Sequence, residues 1–156
     1  MILVTVGTAR DFSRLIKKID EIGRKINEKI IIQRGNTKYM PKNCVYFDFT
    51  TREKFENYVK KANIVVTHGG VGSIITSLNF GKPTIVVPRR EKYNEHKNDH
   101  QMDIAKELGR EGKVLACYDI RNLKKKIDGA RKIRRVKKRK DVLKIEKTLE
   151  RFIESV

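Results

Sequence analysis

A chain of 156 residues, 38% of them apolar, can bury one core but is too short for two nucleotide-binding halves of the doubly wound kind. No apolar run approaches the roughly 20 residues that cross a bilayer, and a charge interrupts the start MILVTVGTARD where a secretory signal would stay apolar, so the chain reads as cytosolic. The net charge of +18 argues for anionic partners, while Cys44 and Cys117, far apart and without CxxC spacing, read as buried thiols rather than a disulfide framework or zinc knuckle.

Ile2 to Val6 is an apolar run ended by Gly7-Thr8 and reads as a buried strand. Asp11 is placed to cap a helix whose Phe12, Leu15, Ile16, Ile19, Ile22 and Ile26 recur at helical spacing. Lys29 to Gln33 is a second strand, closed by Arg34-Gly35-Asn36, and Cys44 to Phe49 a third. Thr50 with Glu53 forms a capping box ahead of Phe55, Tyr58, Val59 and Ala62. Asn63 to Thr67 is the fourth strand. His68 to Ser73 then turns into a helix with Val71, Ile75 and Leu78 on one face and Gly81 at its end. Pro83 to Val87 is the fifth strand, His100 to Leu108 a helix and Lys113 to Cys117 the sixth strand. Strand and helix in alternation predict an α/β fold, a three-layer Rossmann-like parallel sheet covered on both faces, as a single domain over 1–156.

Residues 121–140 hold 12 Lys and Arg against the single Asp128, so much of the excess charge lies in this basic segment. It is either a solvated face or a contact for phosphates, anionic headgroups or an acidic partner. The Lys, Arg, Glu and Ile bias without Trp also fits a thermophile composition. An amphipathic helix at about 141–155 follows, with Val142, Ile145, Leu149, Phe152, Ile153 and Val156 on one face.

In an open parallel sheet the ligand sits beyond the carboxyl ends of the strands, which points to Gly7-Thr8, His68 to Ser73 and Arg89 to Gln101. The glycines of His68-Gly69-Gly70-Val71-Gly72-Ser73 either close a tight turn or let a diphosphate approach unpaired helix N–H groups, with Ser73 adding a hydroxyl. The segment is not a P-loop, because Gly72-Ser73-Ile74 lacks the lysine, and it follows the fourth strand rather than the first, unlike the dinucleotide fingerprint. ATP and NAD readings lose weight accordingly. The loop from Pro88 to Gln101 is dense in polar groups. Glu95, His96, Asp99 and His100 can be read as metal ligands, but no HExxH-type pattern accompanies them, and no metal or cofactor is expected.

Val4-Thr5-Val6-Gly7-Thr8, Thr67-His68-Gly69-Gly70-Val71-Gly72-Ser73-Ile74, Gly81-Lys82-Pro83, Ile85-Val86-Val87-Pro88-Arg89, Asn94-Glu95-His96 and Asp99-His100-Gln101 run in an order that resembles the glycosyltransferase family 28 C-terminal domain. The chain is most similar to that family's small free-standing members, the catalytic subunits of two-part UDP-N-acetylglucosamine transferases and exopolysaccharide glycosyltransferase subunits. The resemblance implies the donor-binding half of a GT-B fold and transfer of N-acetylglucosamine or another hexose from a UDP-sugar to a lipid-linked acceptor. It puts the diphosphate on Gly69 to Ser73 and a sugar contact at Gln101, with Asn94 to His100 lining the same cleft. Helix dipole and amides would stabilise the leaving diphosphate without a metal.

The resemblance further implies a membrane-anchored subunit for the acceptor, a cytoplasmic location peripheral to the inner face of the membrane, and a basic segment against anionic headgroups, on the order of 1 kcal/mol per residue near the surface. The general base is unassigned, with His68 the in-chain candidate. One departure stands out: the family's ribose-binding glutamate, five residues before the Gly of Gly-Lys-Pro, is Thr76 here, which cannot supply a charge-assisted bidentate contact. The competing readings are a non-catalytic nucleotide-sugar or nucleic-acid binding module and a sugar-nucleotide epimerase. Aromatics are not interleaved with the basic run as nucleic-acid stacking requires, and the epimerase needs a second half.

Overall fold

The computed structural model describes residues 1–133 and 147–151. Strands β1 (Ile2–Thr5), β2 (Ile30–Gln33), β3 (Val45–Phe47), β4 (Ile64–Thr67), β5 (Thr84–Val86) and β6 (Leu115–Ala116) form one sheet in the order β3-β2-β1-β4-β5-β6. Every neighbouring pair is parallel, with Leu3 opposite both Ile31 and Val65. β1, β2 and β4 are buried along their whole length, which is why they read as continuous apolar runs rather than alternating ones.

Alternate residues nevertheless serve opposite faces. Ile2, Val4, Ile30, Ile32, Ile64, Val66 and Ile85 pack on α1 (Ser13–Gly23) and α5 (Leu123–Ala130) through Leu15, Ile16, Ile19, Ile22, Leu123 and Ile127. On the other face, Leu3, Ile31 and Val65 meet Val59 and Ala62 at the end of α2 (Arg52–Lys61). Val86 there meets α3 (Val71–Asn79) and α4 (His100–Arg110) through Ile74, Leu78, Ile104, Ala105 and Leu108. Residues 147–151 are helical and Leu149 is buried in this last cluster. Residues 134–146 and 152–156 lie outside the described residues, and with them the far half of the basic segment and the rest of the amphipathic stripe.

Local details depart from expectation. The cap of α1 is Phe12; Asp11 stands one residue earlier, where its carboxylate accepts from Ser13 N at 3.3 Å, Ser13 Oγ at 2.8 Å and Lys38 N at 2.7 Å. α1 ends at Gly23, short of Ile26, and a Cβ at Gly23 would lie 2.5 Å from Cys44 Sγ, so the position takes glycine. Thr51, not Thr50, caps α2, accepting from Lys54 N, so the box with Glu53 does not form. The most deeply buried apolar residue of α3 is Ile74, with Val71 and Ile75 only half-buried. α5 carries Leu123, Ile127 and Ala130 inward beneath the charge that hid its periodicity. Cys117 is buried but Cys44 only half-buried, and burial pushes their thiols up to about 11 and about 12.

Candidate functional site

The strand order reverses between β1 and β4, which opens a crevice at the carboxyl end of the sheet. A cleft of about 520 Å³ lies there, lined by Thr5, Gly7 and Thr8 from the end of β1, Gln33 from β2, Phe49 to Arg52 and Phe55 ahead of and on α2, and Gly72, Ser73, Ile75 and Thr76 of α3. Five of the expected site residues, Gly7, Thr8, Gly72, Ser73 and Thr76, therefore share one wall system. The first turn of α3 presents its unpaired amides on this side, the geometry that favours a phosphate. Among the described residues Arg52 is the only charged side chain in the lining, which holds no carboxylate to repel an anion. Thr76 donates its hydroxyl proton to Gly72 O at 2.8 Å, so toward the cleft it is an acceptor only.

Gly7 takes φ +68, and a Cβ on it would meet His68 Nε2 at 2.7 Å; one on Gly70 would meet the same nitrogen at 2.3 Å. The imidazole thus lies wedged between the two glycine turns. Burial, and then the nearby Arg89 charge, push His68 down to about 4, leaving it neutral at pH 7. An imidazole that weak holds a proton poorly, so its position fits orientation of the turns better than general-base work. Gly69 is buried against Gln101, whose Cβ would sit 2.5 Å from an added one. Gln101 Oε1 accepts from Gly69 N at 3.1 Å and Arg89 N at 3.0 Å, while no bond from its Nε2 is found among the described residues.

The rest of the 89–101 loop is put to structural use. Arg89 is fully buried, donating to Val6 O at 2.7 Å, Arg10 O at 2.8 Å, Asp11 O at 3.1 Å and Glu95 O at 3.3 Å, with its guanidinium 4.6 Å from the Phe12 ring centroid. Burial pulls it down to about 10, opposed by Glu95 and Asp11, and it stays charged at neutral pH. Its expected ligand role gives way to this because both terminal nitrogens face carbonyls of the protein, while Nε is buried without a hydrogen-bond partner. Glu95 is likewise buried on Arg14 and Arg90 N. Asn94 adopts a left-handed φ of 55 and accepts from Arg10; His96 Nδ1 lies 3.0 Å from Asn98 Oδ1; Asp99 accepts from Glu91 N, with Arg90 Nε 3.5 Å away. His100 begins α4, its N–H donating to Asn98 Oδ1. None of these residues, nor His68, Gly69, Gly70, Val71 or Gln101, lines the cleft itself.

The residues after β3, Phe49 to Arg52, were missing from the expected site although the rule that marks strand ends covers them as well. The described part of the basic segment lies elsewhere: Arg131 bonds Glu28, which also holds the Met1 amino group, at the amino ends of β1 and β2.

The model of the "Glycosyltransferase family 28 C-terminal domain" matches residues 1–154. The chain belongs to this family. It is 30% identical over 130 residues, 74% of its length, to the UDP-N-acetylglucosamine transferase subunit ALG13 of Homo sapiens, of which it spans only 11%. Among solved structures, the glycotransferase of kitacinnamycin superposes with TM-score 0.63 at 17% identity over 98% of the chain and 39% of that protein. The solution structure of ALG13 does so with TM-score 0.58 at 21% identity, covering 82% of the chain and 83% of that protein. These neighbours share the fold, that of one half of GT-B enzymes.

Proposed function

We propose that the chain is the donor-binding, catalytic subunit of a hexosyltransferase that moves a sugar, N-acetylglucosamine or a related hexose, from a UDP-sugar to a lipid-linked acceptor. The observation that carries this is the cleft at the β1–β4 switch point, where Gly7-Thr8 and the first turn of α3 converge without a carboxylate between them. The donor diphosphate lies against Gly7, Thr8, Gly72 and Ser73, where amides and the dipole of α3 stabilise the charge that develops as it leaves. Gln101, its carbonyl pinned by two backbone amides, offers its NH2 as the sugar contact.

The acceptor half and the general base belong to a separate, membrane-anchored subunit. Family membership and the subunit naming of the human relative support this. Among the described residues no helix is long and apolar enough to cross a membrane, so attachment rests on that partner and on the basic segment at 121–140 against anionic headgroups. In α5 the outward Lys124 and Lys125 begin that surface.

Calorimetric titration with UDP-N-acetylglucosamine and UDP, beside GDP- and ADP-sugars, tests the donor site. Saturable uridine-selective binding, abolished in Gly72→Arg, is expected; equal or absent binding across the nucleotides would remove the reading. Thr76 favours one second reading, a non-catalytic nucleotide-sugar module, which would bind the donor yet leave it intact when the acceptor subunit and a lipid-linked acceptor are supplied.

A further inference from the structure

Gln33 ends β2 with its side chain buried, and its carboxamide is fully engaged. Oε1 accepts from Thr5 Oγ1 at 2.7 Å and Gly7 N at 3.1 Å; Nε2 donates to Gly7 O at 3.0 Å and Asp48 O at 3.0 Å. Two acceptor sites and two hydrogens are all used; a flipped amide would face three wrong partners, Gly7 N, Gly7 O and Asp48 O, with only the Thr5 hydroxyl able to turn, so this orientation is the favoured one. The group therefore grips Gly7 at both its N–H and its C=O, as a neighbouring strand would. Gly35 completes the grip: a Cβ there would lie 2.2 Å from Gly7 O. The fourth bond reaches the other side of the cleft, since Asp48 immediately precedes the Phe49 to Arg52 wall and its carbonyl also accepts from Gly35 N at 3.0 Å.

We infer that Gln33 is a positioning residue for the donor, fixing the gap between the Gly7-Thr8 wall and the Phe49 to Arg52 wall. A ligand long enough to touch both, a nucleoside diphosphate, is then held at its two ends at once. This rests on the donor reading above. The consequence is particular: loss of the bracket weakens a ligand that bridges the walls far more than a fragment that touches one. A binding site pays little for a loose wall when only that wall is used, whereas a bridging ligand loses the preorganised spacing.

Gln33→Glu tests it, because the variant keeps the shape and both acceptors but turns a lone pair toward Gly7 O and Asp48 O. Thr5→Val, which removes one bond to Oε1 and leaves Gln33 in place, gives a milder second variant should the first not fold. Without ligand, hydrogen exchange followed by NMR is expected to quicken at least tenfold at the Gly7 and Gly35 amides, with Val65 in the sheet centre unchanged. In titrations, UDP affinity is expected to fall at least tenfold while uridine and inorganic pyrophosphate each stay within threefold of the parent. Unchanged exchange would overturn the bracket. Faster exchange with unchanged UDP affinity, or an equal loss for all three ligands, would overturn the positioning role. A parent chain with protected Gly7 and no affinity for UDP would instead bring down the donor reading, and the positioning role with it.

Discussion

The Arg14 guanidinium holds the Glu95 carboxylate by two parallel bonds, Nε to Oε1 at 2.8 Å and Nη2 to Oε2 at 2.9 Å, across 81 residues of sequence. Arg14 also donates to Pro88 O and sits 4.9 Å from the Tyr93 ring centroid, so the loop after β5 is fastened to α1 rather than free to wrap a ligand. The carboxylate is only 5% exposed, and removing its partner leaves a buried charge. Arg14→Leu is therefore expected to cost about 3 kcal/mol, roughly 6–12 °C in Tm. Arg14→Leu with Glu95→Leu should lose less than the sum of the single changes, since the orphaned charge is gone. Calorimetric melting of the three variants checks this; additive losses would mean that the pair contributes no coupling.

His68 makes stability depend on pH in a definite window. Its unfolded value near 6.5 falls to about 4 in the fold, so the unfolded chain takes up a proton that the folded chain refuses. The stabilising difference is complete above pH 6.5 and is lost as pH falls toward about 4, by about 3 kcal/mol if the group acts alone. Urea unfolding at steps from pH 7 to pH 4 should show this decline, and His68→Asn should flatten it. Asp11 and Asp20 enter only toward the acid end of the window, below about pH 5. Burial raises both, but their hydrogen bonds from Lys38, Ser13, Lys42 and Asn43 outweigh it, so both titrate below 3.8. An equal slope in parent and variant would show that another group carries the effect.

The sheet was legible in the sequence because its strands are buried on both faces and each is bounded by a turn residue, as Val6-Gly7 and Gln33-Arg34-Gly35 show. The glycine turn and the end of β1 were legible for the same topological reason. The roles inside the 89–101 loop were not. Arg89 and Glu95 are polar, and polarity in a loop reads as ligand binding when partners 83 and 81 residues away cannot be seen. Their bonds to Val6 O and Arg14 are tertiary facts. α5 escaped notice because Lys124, Lys125 and Lys126 fill the positions between Leu123 and Ile127. Phe49 to Arg52 escaped because β3, the edge strand, is the least buried of the six and marks the sheet end least clearly.

The glycines of the α3 turn separate packing from binding. A Cβ on Gly70 would strike His68 Nε2 at 2.3 Å, whereas one on Gly72 meets nothing within 4 Å. Gly70→Ala should lower Tm by several degrees through displacement of the turn, at a cost of about 1–3 kcal/mol. Gly72→Ala lies in the first turn of a helix and should hold or slightly raise Tm, by up to about 1 kcal/mol of stability. Its methyl nevertheless enters the cleft wall, so UDP affinity should drop while the fold improves. Thermal melts paired with titrations read both effects, and a Gly72→Ala chain that binds UDP as the parent does would move the phosphate away from this turn.

Thr76 carries the sharpest prediction about the ribose. It is half-buried on the cleft wall, its hydroxyl proton committed to Gly72 O at 2.8 Å, so it can accept from a ribose hydroxyl but brings no charge. A carboxylate there would accept from both ribose hydroxyls at once, and charge-assisted bonds of this kind contribute about 1.5–3 kcal/mol. Among the described residues only Arg52 of the cleft lining is charged, so no acid in that lining repels the new one. Thr76→Glu is therefore expected to tighten UDP binding by at least tenfold. The comparison with 2′-deoxyuridine diphosphate decides the mechanism: if the carboxylate reads the ribose, most of the gain disappears with the deoxy ligand. A gain equal for both ligands would place the new contact elsewhere, and no gain for either would mean that the ribose does not lie beside α3.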